Sequence, residues 1–349
     1  MFANLIRSTA WTAATALALA VLAPARVSPA TAFVTPDVAK AKAEGLVVFY
    51  TSVDVSVAER LARDFQAKYG IKVQVERTGS ERVFQRIGQE MGSNLHVADV
   101  VNTSDAANFL VWKNSGWLAN VRLDDIERFW PPQFRDRDAT FATWRATLSP
   151  IAYNVSLVKP ADAPKTWADL LKPQWKGKLV KAHPAYSGSE MTANYELMKA
   201  FGWPYLQKLG EQKVMQVQSS TEPPKVLSRG EQPVMAGGNE YVVFQLQSQG
   251  SPLVIVYPPE GTPFETSPAA VFKDAPHPNA ARLFYQYLFS KDTQQMLVEF
   301  GGLRSVRAGL KEPANRIPIT RIRLFHDDPQ GVLKTSDEMK TRYAQYFGT

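Results

Sequence analysis

The chain has 349 residues, a formal net charge of +7 and no cysteine. The absence of cysteine excludes disulfides, thiolate metal sites, thiol catalysis and anchoring through a lipid-modified N-terminal cysteine. Basic residues are spread along the sequence among acidic ones, whereas nucleic-acid binding favours a clustered basic face, so we expect no nucleic-acid partner.

The first 32 residues have the pattern of a secretory signal. Arg7 precedes an apolar stretch over residues 11–22, and small residues follow up to Ala32. A positive start, a short apolar centre and a small-residue exit are what a cleavable signal requires. A retained membrane anchor and a buried helix are the alternatives, but the apolar run is short for a permanent span. We therefore expect cleavage after Ala32 and an exported mature chain.

The first half of the mature sequence alternates strand and helix patterns. Continuous or alternating apolar runs predict strands at 46–50, 71–75 and 98–101. Apolar residues at helical spacing predict helices between them, the first of which ends at Gly70. This series is typical of an α/β fold, in which ligands bind beyond the carboxyl ends of the strands.

The second half repeats this alternation after a crossing near Pro150. Residues 129–141 are charged and proline-rich and predict an irregular loop, and 148–154 predict a strand. Further helices are expected at 166–171, 189–201, 205–212, 279–299 and 337–346. Further strands are expected at 178–180, 233–236, 253–257 and 269–272.

Four segments, in this order, resemble the ferric-iron-binding-like family of bacterial extracellular solute-binding proteins. They are Tyr50-Thr51-Ser52, residues 172–178, residues 185–189 and residues 257–263. The resemblance covers most of the mature chain. It implies a two-lobed, type II periplasmic-binding-protein-like fold with a hinge and discontinuous lobes. Lobe 1 would hold residues 33–150 and 266–305, and lobe 2 residues 151–265 and 306–349.

The resemblance also implies a function. The protein would bind a small molecule in the periplasm, close around it by a hinge motion, and dock as a monomer on an ABC permease in the inner membrane. A receptor that presents its ligand to a sensor is an alternative. No catalysis and no cofactor are expected.

The sequence departs from the iron-binding members of the family at their ligand positions. The position of their paired tyrosines reads Asn239-Glu240-Tyr241 in this chain. Asp54 lies near the position of their histidine ligand, and Ser104 lies near the position of their glutamate ligand. Ferric iron prefers hard anionic oxygen donors. Asp54, Glu240 and Tyr241 would still supply three, so a ferric-iron-binding protein is the alternative to a small oxygenated organic ligand with an anionic group.

The candidate residues of lobe 1 follow its strands. Thr51 and Ser52 end the first strand, with Asp54 just after, and Arg77 and Ser104 come directly after the second and third. Hydroxyls donate and accept, and a guanidinium binds a carboxylate or phosphate through two parallel hydrogen bonds. The alternative roles are a capped turn for the hydroxyls and a solvated or ion-paired side chain for Arg77.

The candidate residues of lobe 2 lie at helix starts and after glycines. Ser187 and Gly188 open a predicted helix, whose free N–H groups favour an anion, although Ser187 could act simply as an N-cap. Glu240 and Tyr241 follow Gly237-Gly238 and would hold hydroxyls or an amine of the ligand.

Signs of catalysis are weak. The four histidines are scattered, and no zinc-protease, nucleophile-elbow, phosphate-loop or dinucleotide motif occurs. His183 lies close to Ser187 in sequence, so a periplasmic hydrolase on the same scaffold stays as the alternative of another class.

Overall fold

The computed structural model describes residues 32–349; the predicted signal segment, apart from Ala32, lies outside them. The strands are β1 Leu46–Thr51, β2 Lys72–Arg77, β3 Val100–Asn102, β4 Ala142–Leu148, β5 Ile151–Asn154, β6 Leu179–Ala182, β7 Met215–Val217, β8 Val234–Ala236, β9 Leu253–Val256 and β10 Phe264–Val271. The helices are α1 Val38–Glu44, α2 Val55–Tyr69, α3 Ser80–Gly92, α4 Ala106–Asn114, α5 Asp124–Phe129, α6 Gly188–Phe201, α7 Trp203–Gly210, α8 Glu222–Ser228, α9 Glu240–Ser248, α10 Pro278–Phe289, α11 Lys291–Glu299 and α12 Pro329–Phe347.

The first sheet has the strand order β2-β1-β3-β10-β4. β1 is parallel to β2 and β3, and β10 is antiparallel to β3 and β4. Continuous apolar runs form its centre because both faces are covered: Val47, Phe49 and Val100 are fully buried. The predicted C-cap at Gly70 is confirmed, since this residue has a left-handed backbone (φ 72°) and donates to Gln66 O.

The second sheet has the order β7-β6-β8-β5-β9. β6 is parallel to β7 and β8, and β5 is antiparallel to β8 and β9. A separate core forms around it, with Trp167, Leu179 and Val234 fully buried. The two sheets confirm the predicted two-lobed α/β fold.

The chain passes between the sheets through two neighbouring segments. β4 and β5 are separated only by Ser149 and Pro150, and β9 and β10 by residues 257–263. β10 therefore belongs to the first sheet although it follows the second in sequence, which makes the lobes discontinuous. β4 and β10 form a two-stranded ribbon in which Ser267 is paired with Arg145 and Glu265 with Thr147.

Several predicted elements differ in the structure. The predicted helix at 279–299 is two helices, because Ser290 has an extended backbone and caps α11 through Thr293 N. In place of the predicted helix at 166–171 there is a short 3-10 turn, Ala168–Leu171. Another 3-10 turn, Pro132–Phe134, lies inside the loop predicted at 129–141. α1, α5, α8, α9, β7 and nearly all of β4 were not predicted, and α12 begins earlier than expected.

The C-terminal helix α12 contacts elements beside both sheets. It packs on α6 and α7 and also on α4, and Lys340 of α12 forms an ion pair with Glu81 of α3 at 3.1 Å. Tyr343 is fully buried on its inner face. Within residues 32–349, no helix is long and apolar enough to cross a membrane.

Candidate functional site

A small polar cavity lies where the ends of β1, β2 and β3 meet the start of α6. Its volume is about 20 Å³, which is room for about one water molecule, so the two sides nearly touch. Its lining consists of two arginines, several hydroxyls, an amide and one glycine: Ser52, Arg77, Gly79, Ser80, Ser104, Arg145, Tyr186, Ser187, Ser189, Ser219, Ser220, Thr221 and Asn239.

The strand ends of the first sheet position one wall of this cavity. Ser52 follows β1, and its Oγ accepts a hydrogen bond from Ser104 N, just after β3, at 3.0 Å. Arg77 ends β2 and is exposed, and its Nε donates to Val53 O at 3.0 Å. Parallel strands bring these side chains together because their carboxyl ends lie at the same edge of the sheet.

The start of α6 forms the opposite wall. Ser187 is the N-cap: its Oγ accepts from Glu190 N at 3.5 Å and lies 2.6 Å from Ser220 Oγ. The next residue, Gly188, donates its backbone N–H to Ser80 Oγ of α3 at 2.6 Å. A Cβ at Gly188 would lie 2.5 Å from the Cβ of Asp105, so glycine permits this close approach.

Arg145 lies between these walls, on the ribbon that joins the sheets. Its side chain is 2 % exposed, its NH1 group donates to Thr147 Oγ1 at 3.0 Å, and its Nε has no hydrogen-bond partner. Burial lowers the pKa of Arg145, with Tyr241 and Glu265 acting in the opposite direction. Within residues 32–349, no carboxylate lies at ion-pair distance from this guanidinium.

Asp105 is an acidic residue of the first lobe that lies against the start of α6. It is the N-cap of α4, where its Oδ1 accepts from Ala107 N at 2.9 Å, and it is buried. Burial and the nearby Glu81 carboxylate raise the pKa of Asp105 to about 8. A largely uncharged Asp105 therefore faces the helix start at neutral pH.

Comparison with known proteins identifies the family to which this architecture belongs. Residues 46–302 match the family of bacterial extracellular solute-binding proteins. The chain belongs to this family. The solute-binding protein serves ABC transport, as the proteins of this family do, and the family places it outside the cytoplasm.

Individual relatives agree with the resemblance seen in the sequence. The protein is 24 % identical over 290 residues to iron uptake protein A1 of Synechocystis sp., covering 76 % of this chain and 77 % of that protein. Its fold is similar to that of the periplasmic binding protein AfuA from Actinobacillus pleuropneumoniae with fructose-6-phosphate bound (TM-score 0.79, 24 % identity, 87 % of this chain and 99 % of that one). Iron-bound HitA from Pseudomonas aeruginosa has a TM-score of 0.75 at 20 % identity, covering 86 % and 99 %.

The structure brings together about half of the residues expected at the site of the solute-binding protein. Ser52, Arg77, Ser104 and Ser187 line the cavity, and Gly188 borders it through its hydrogen bond to Ser80. The predicted strand ends and the predicted helix start therefore meet at one place.

Thr51 and Asp54 form hydrogen bonds with residues near them and do not line the cavity. The Thr51 hydroxyl is buried, accepts from Val53 N at 3.1 Å and donates to Asn102 Oδ1 at 3.3 Å. Asp54 is the N-cap of α2 and accepts from the N–H and the hydroxyl of Ser56.

Glu240 lies away from the cavity in an ionic cluster. It is 1 % exposed, and its carboxylate accepts two hydrogen bonds from Arg304, at 2.9 and 3.0 Å, and one from the hydroxyl of Tyr257. This bidentate pair fixes the segment around Arg304 against α9. The carboxylate oxygens of Glu240, which we expected to bind the ligand, are thereby occupied.

Tyr241 is buried in the core of the first sheet and does not line the cavity. Burial raises the pKa of its phenol, while Arg145 nearby lowers it and Asp54 raises it. Within residues 32–349, no group of three His, Asp or Glu side chains is arranged to hold a metal ion.

Sequence reasoning missed Arg145, Ser80, Tyr186, Ser189 and Asn239 of the lining. Arg145 had a usable signal, because it is the only charge in an otherwise uncharged strand, β4, that leads into the crossing at Pro150. The others lie in loops or at helix starts whose positions depend on how the lobes meet.

Proposed function

We propose that this protein is the periplasmic solute-binding component of an ABC importer and binds a small oxygenated organic anion in the cavity around Arg145. Lobe 1 would comprise residues 33–150 and 266–305, and lobe 2 residues 151–265 and 306–349. The protein would act as a monomer, without catalysis, and its closed form would dock on a permease in the inner membrane.

The buried guanidinium of Arg145 carries this proposal. A charge removed from water costs several kcal/mol unless a partner compensates it, and proteins rarely retain such a group without one. Arg145 has one hydrogen bond to a neutral hydroxyl and no carboxylate at ion-pair distance among the described residues. An anionic ligand group would supply the missing partner.

The remaining lining fits the same class of ligand. Arg77 adds a second guanidinium, and the start of α6 adds backbone N–H groups that favour negative charge. The lining contains no carboxylate and no histidine, whereas its hydroxyls and Asn239 can bind the oxygens of an organic body. The fructose-6-phosphate bound to AfuA, a protein of the same fold, is a ligand of this chemistry.

Ligand binding would couple to closure of the lobes. The cavity has room for about one water, so a larger ligand enters only after the walls separate. The ligand then stabilises closure through contacts with both walls, which requires a higher affinity for the closed form than for the open one.

Ferric iron is the second candidate, since relatives include an iron uptake protein and iron-bound HitA. Tyr241 and Asp54 are near enough to influence each other electrostatically, and they would provide two oxygen donors. Against this candidate, Glu240 is held by Arg304, and the cavity itself contains no acid. A hydrolase is less well supported, because His183 does not line the cavity.

A ligand screen tests the proposal. Thermal shift and calorimetry would compare sugars, sugar phosphates, carboxylates, phosphonates, polyamines and ferric citrate with the wild-type protein. We expect only anionic organic compounds to raise the melting temperature, because a ligand that binds the folded state stabilises it. Arg145→Gln should abolish the shift, whereas Arg128→Gln, on the exposed face of α5, should preserve it.

Two outcomes would contradict the proposal. Anion binding of equal strength in Arg145→Gln would remove the role of this guanidinium. A visible charge-transfer band in ferric citrate, lost in Tyr241→Phe, would favour iron. Incubation of each bound compound with the protein, followed by product analysis, separates binding from turnover.

A further inference from the structure

A second, larger cavity lies on the other face of the ribbon formed by β4 and β10. Its volume is about 540 Å³, within the range of small-molecule sites. Successive side chains of a strand point to opposite faces, so Phe264 and Thr266 of β10 line this cavity while Ser267 lies on the face of Arg145. We call it the hinge cavity, because it borders the segment that joins the two sheets.

The walls of the hinge cavity are mainly apolar and aromatic. Phe134, Phe141, Phe264 and Phe325 contribute rings, and Leu110 contributes an aliphatic side chain. The rings of Phe134 and Phe264 meet edge to face, with centroids 6.0 Å apart. Aromatic faces of this kind attract both apolar groups and cations.

Two carboxylates line the cavity: Asp136, which forms an ion pair with Lys113, and Asp327. The Oδ2 atom of Asp327 accepts from Thr266 N at 3.1 Å and from the Thr266 hydroxyl. Within residues 32–349, no Lys, Arg or His nitrogen lies at ion-pair distance from it. Burial raises the pKa of Asp327 to about 6, so it carries a negative charge at neutral pH.

Other buried acidic groups lie near Asp327, and burial raises their pKa values and favours their uncharged forms, so the negative charge at this place is that of Asp327. The nearby carboxyls of Glu196 and Glu265 are buried, and Asp105 also interacts with Asp327. Among the basic side chains of the wall, Arg135 is paired with Glu127, and Arg137 and His326 are exposed. His326 is close enough to lower the pKa of Asp327, but it forms no ion pair with it among the described residues.

We propose that the hinge cavity is a second ligand site, which binds a small organic amine with an apolar or aromatic body. The ammonium group would pair with Asp327, and the body would lie between the phenylalanine rings. The site is distinct from the cavity around Arg145, on the opposite face of the ribbon. The proposal therefore does not depend on which solute the protein transports.

Calorimetry with phenethylamine, and with 2-phenylethanol and phenylacetate as neutral and anionic counterparts, tests this site on the mature protein. We expect the amine to bind with a Kd below about 1 mM, and the two counterparts to bind at least about tenfold more weakly, because they lack the charge-assisted hydrogen bond. Equal binding of all three compounds, or no binding of the amine, would overturn the proposal.

Two variants locate the binding. Asp327→Asn keeps an oxygen for Thr266 and removes the charge, and it should weaken amine binding by about tenfold or more. Leu110→Trp places a larger ring in the cavity wall, narrows the space for the apolar body and should also weaken binding. Asp337→Asn, on the exposed face of α12, removes the same charge elsewhere and is the matched control, which should bind the amine like the wild type.

The outcome is separable from that of the proposed transport function. Arg145→Gln should leave amine affinity unchanged, because Arg145 lies on the opposite face of the ribbon. Amine binding that is lost in Arg145→Gln but kept in Asp327→Asn and Leu110→Trp would place the amine in the other cavity and refute the hinge site.

Discussion

The contact between Gly188 and the first lobe gives a sharp test of closure. Gly188 starts α6, and its N–H donates to Ser80 Oγ at 2.6 Å. A Cβ at this position would lie 2.8 Å from that oxygen and 2.5 Å from the Cβ of Asp105. Gly188→Ala therefore cannot be accommodated unless the two walls of the ligand cavity move apart.

The size of the effect follows from these distances. Ordinary contacts of a Cβ begin at 3.4 Å, so the Asp105 contact must lengthen by about 0.9 Å, which also stretches the hydrogen bond to Ser80. Overpacking of this kind costs about 1–3 kcal/mol. Because the cost falls on the closed form, ligand affinity should decrease by about 5- to 150-fold.

Calorimetry measures the affinity, and small-angle scattering measures closure. The probe is the strongest anionic ligand from the screen. We expect weaker binding and a smaller ligand-induced decrease in the radius of gyration for Gly188→Ala. Gly88→Ala is the matched control, because Gly88 lies inside α3 with open space around its Cα. Its ligand affinity should stay the same, and the stability of the helix should increase by about 1 kcal/mol.

A Gly188→Ala protein that binds within about twofold of the wild type and compacts to the same radius of gyration would contradict this role of Gly188. That result would mean that the contact between the start of α6 and Asp105 is not part of the ligand-bound form.

Two further predictions concern residues beside the site. The pKa of Asp105 is raised from 3.8 to about 8 in the folded protein, so the folded form retains a proton that the unfolded form releases, and stability falls as pH rises between these values. Asp105→Asn keeps the N-cap and should make stability depend less on pH. Its melting temperature should therefore exceed that of the wild type by a margin that grows from pH 4 to pH 8. A margin that does not change with pH would contradict the raised pKa of Asp105. Glu240→Gln leaves the buried Arg304 without its main partner and should lower the free energy of unfolding in urea by about 3 kcal/mol, with unchanged ligand affinity in the folded protein. A loss of affinity at unchanged stability would show instead that Glu240 binds the ligand.

Sequence patterns were sufficient for the α/β class and for part of the site, whereas the two-lobed arrangement was an implication of the family resemblance. Apolar runs and helical spacing located β1, β2, β3, α2 and α6, because buried parallel strands and capped helices have local signatures. The position of Ser52 at a strand end followed from the same pattern, whereas Ser104 was implied by the family resemblance. The lack of cysteine chemistry is likewise a property of composition, and the prediction of a secretory signal rests on local order alone.

Tertiary structure alone decided the character of the cavity around Arg145. Glu240 and Arg304 are distant in sequence, so nothing local showed that their ion pair removes Glu240 from the cavity. Likewise, Arg145 becomes a buried cation, with no ion-pair partner among residues 32–349, only when the ribbon of β4 and β10 is enclosed by both lobes. Ion pairing and burial depend on which distant segments come into contact in the folded protein, and the spacing of residues along the chain does not indicate these contacts.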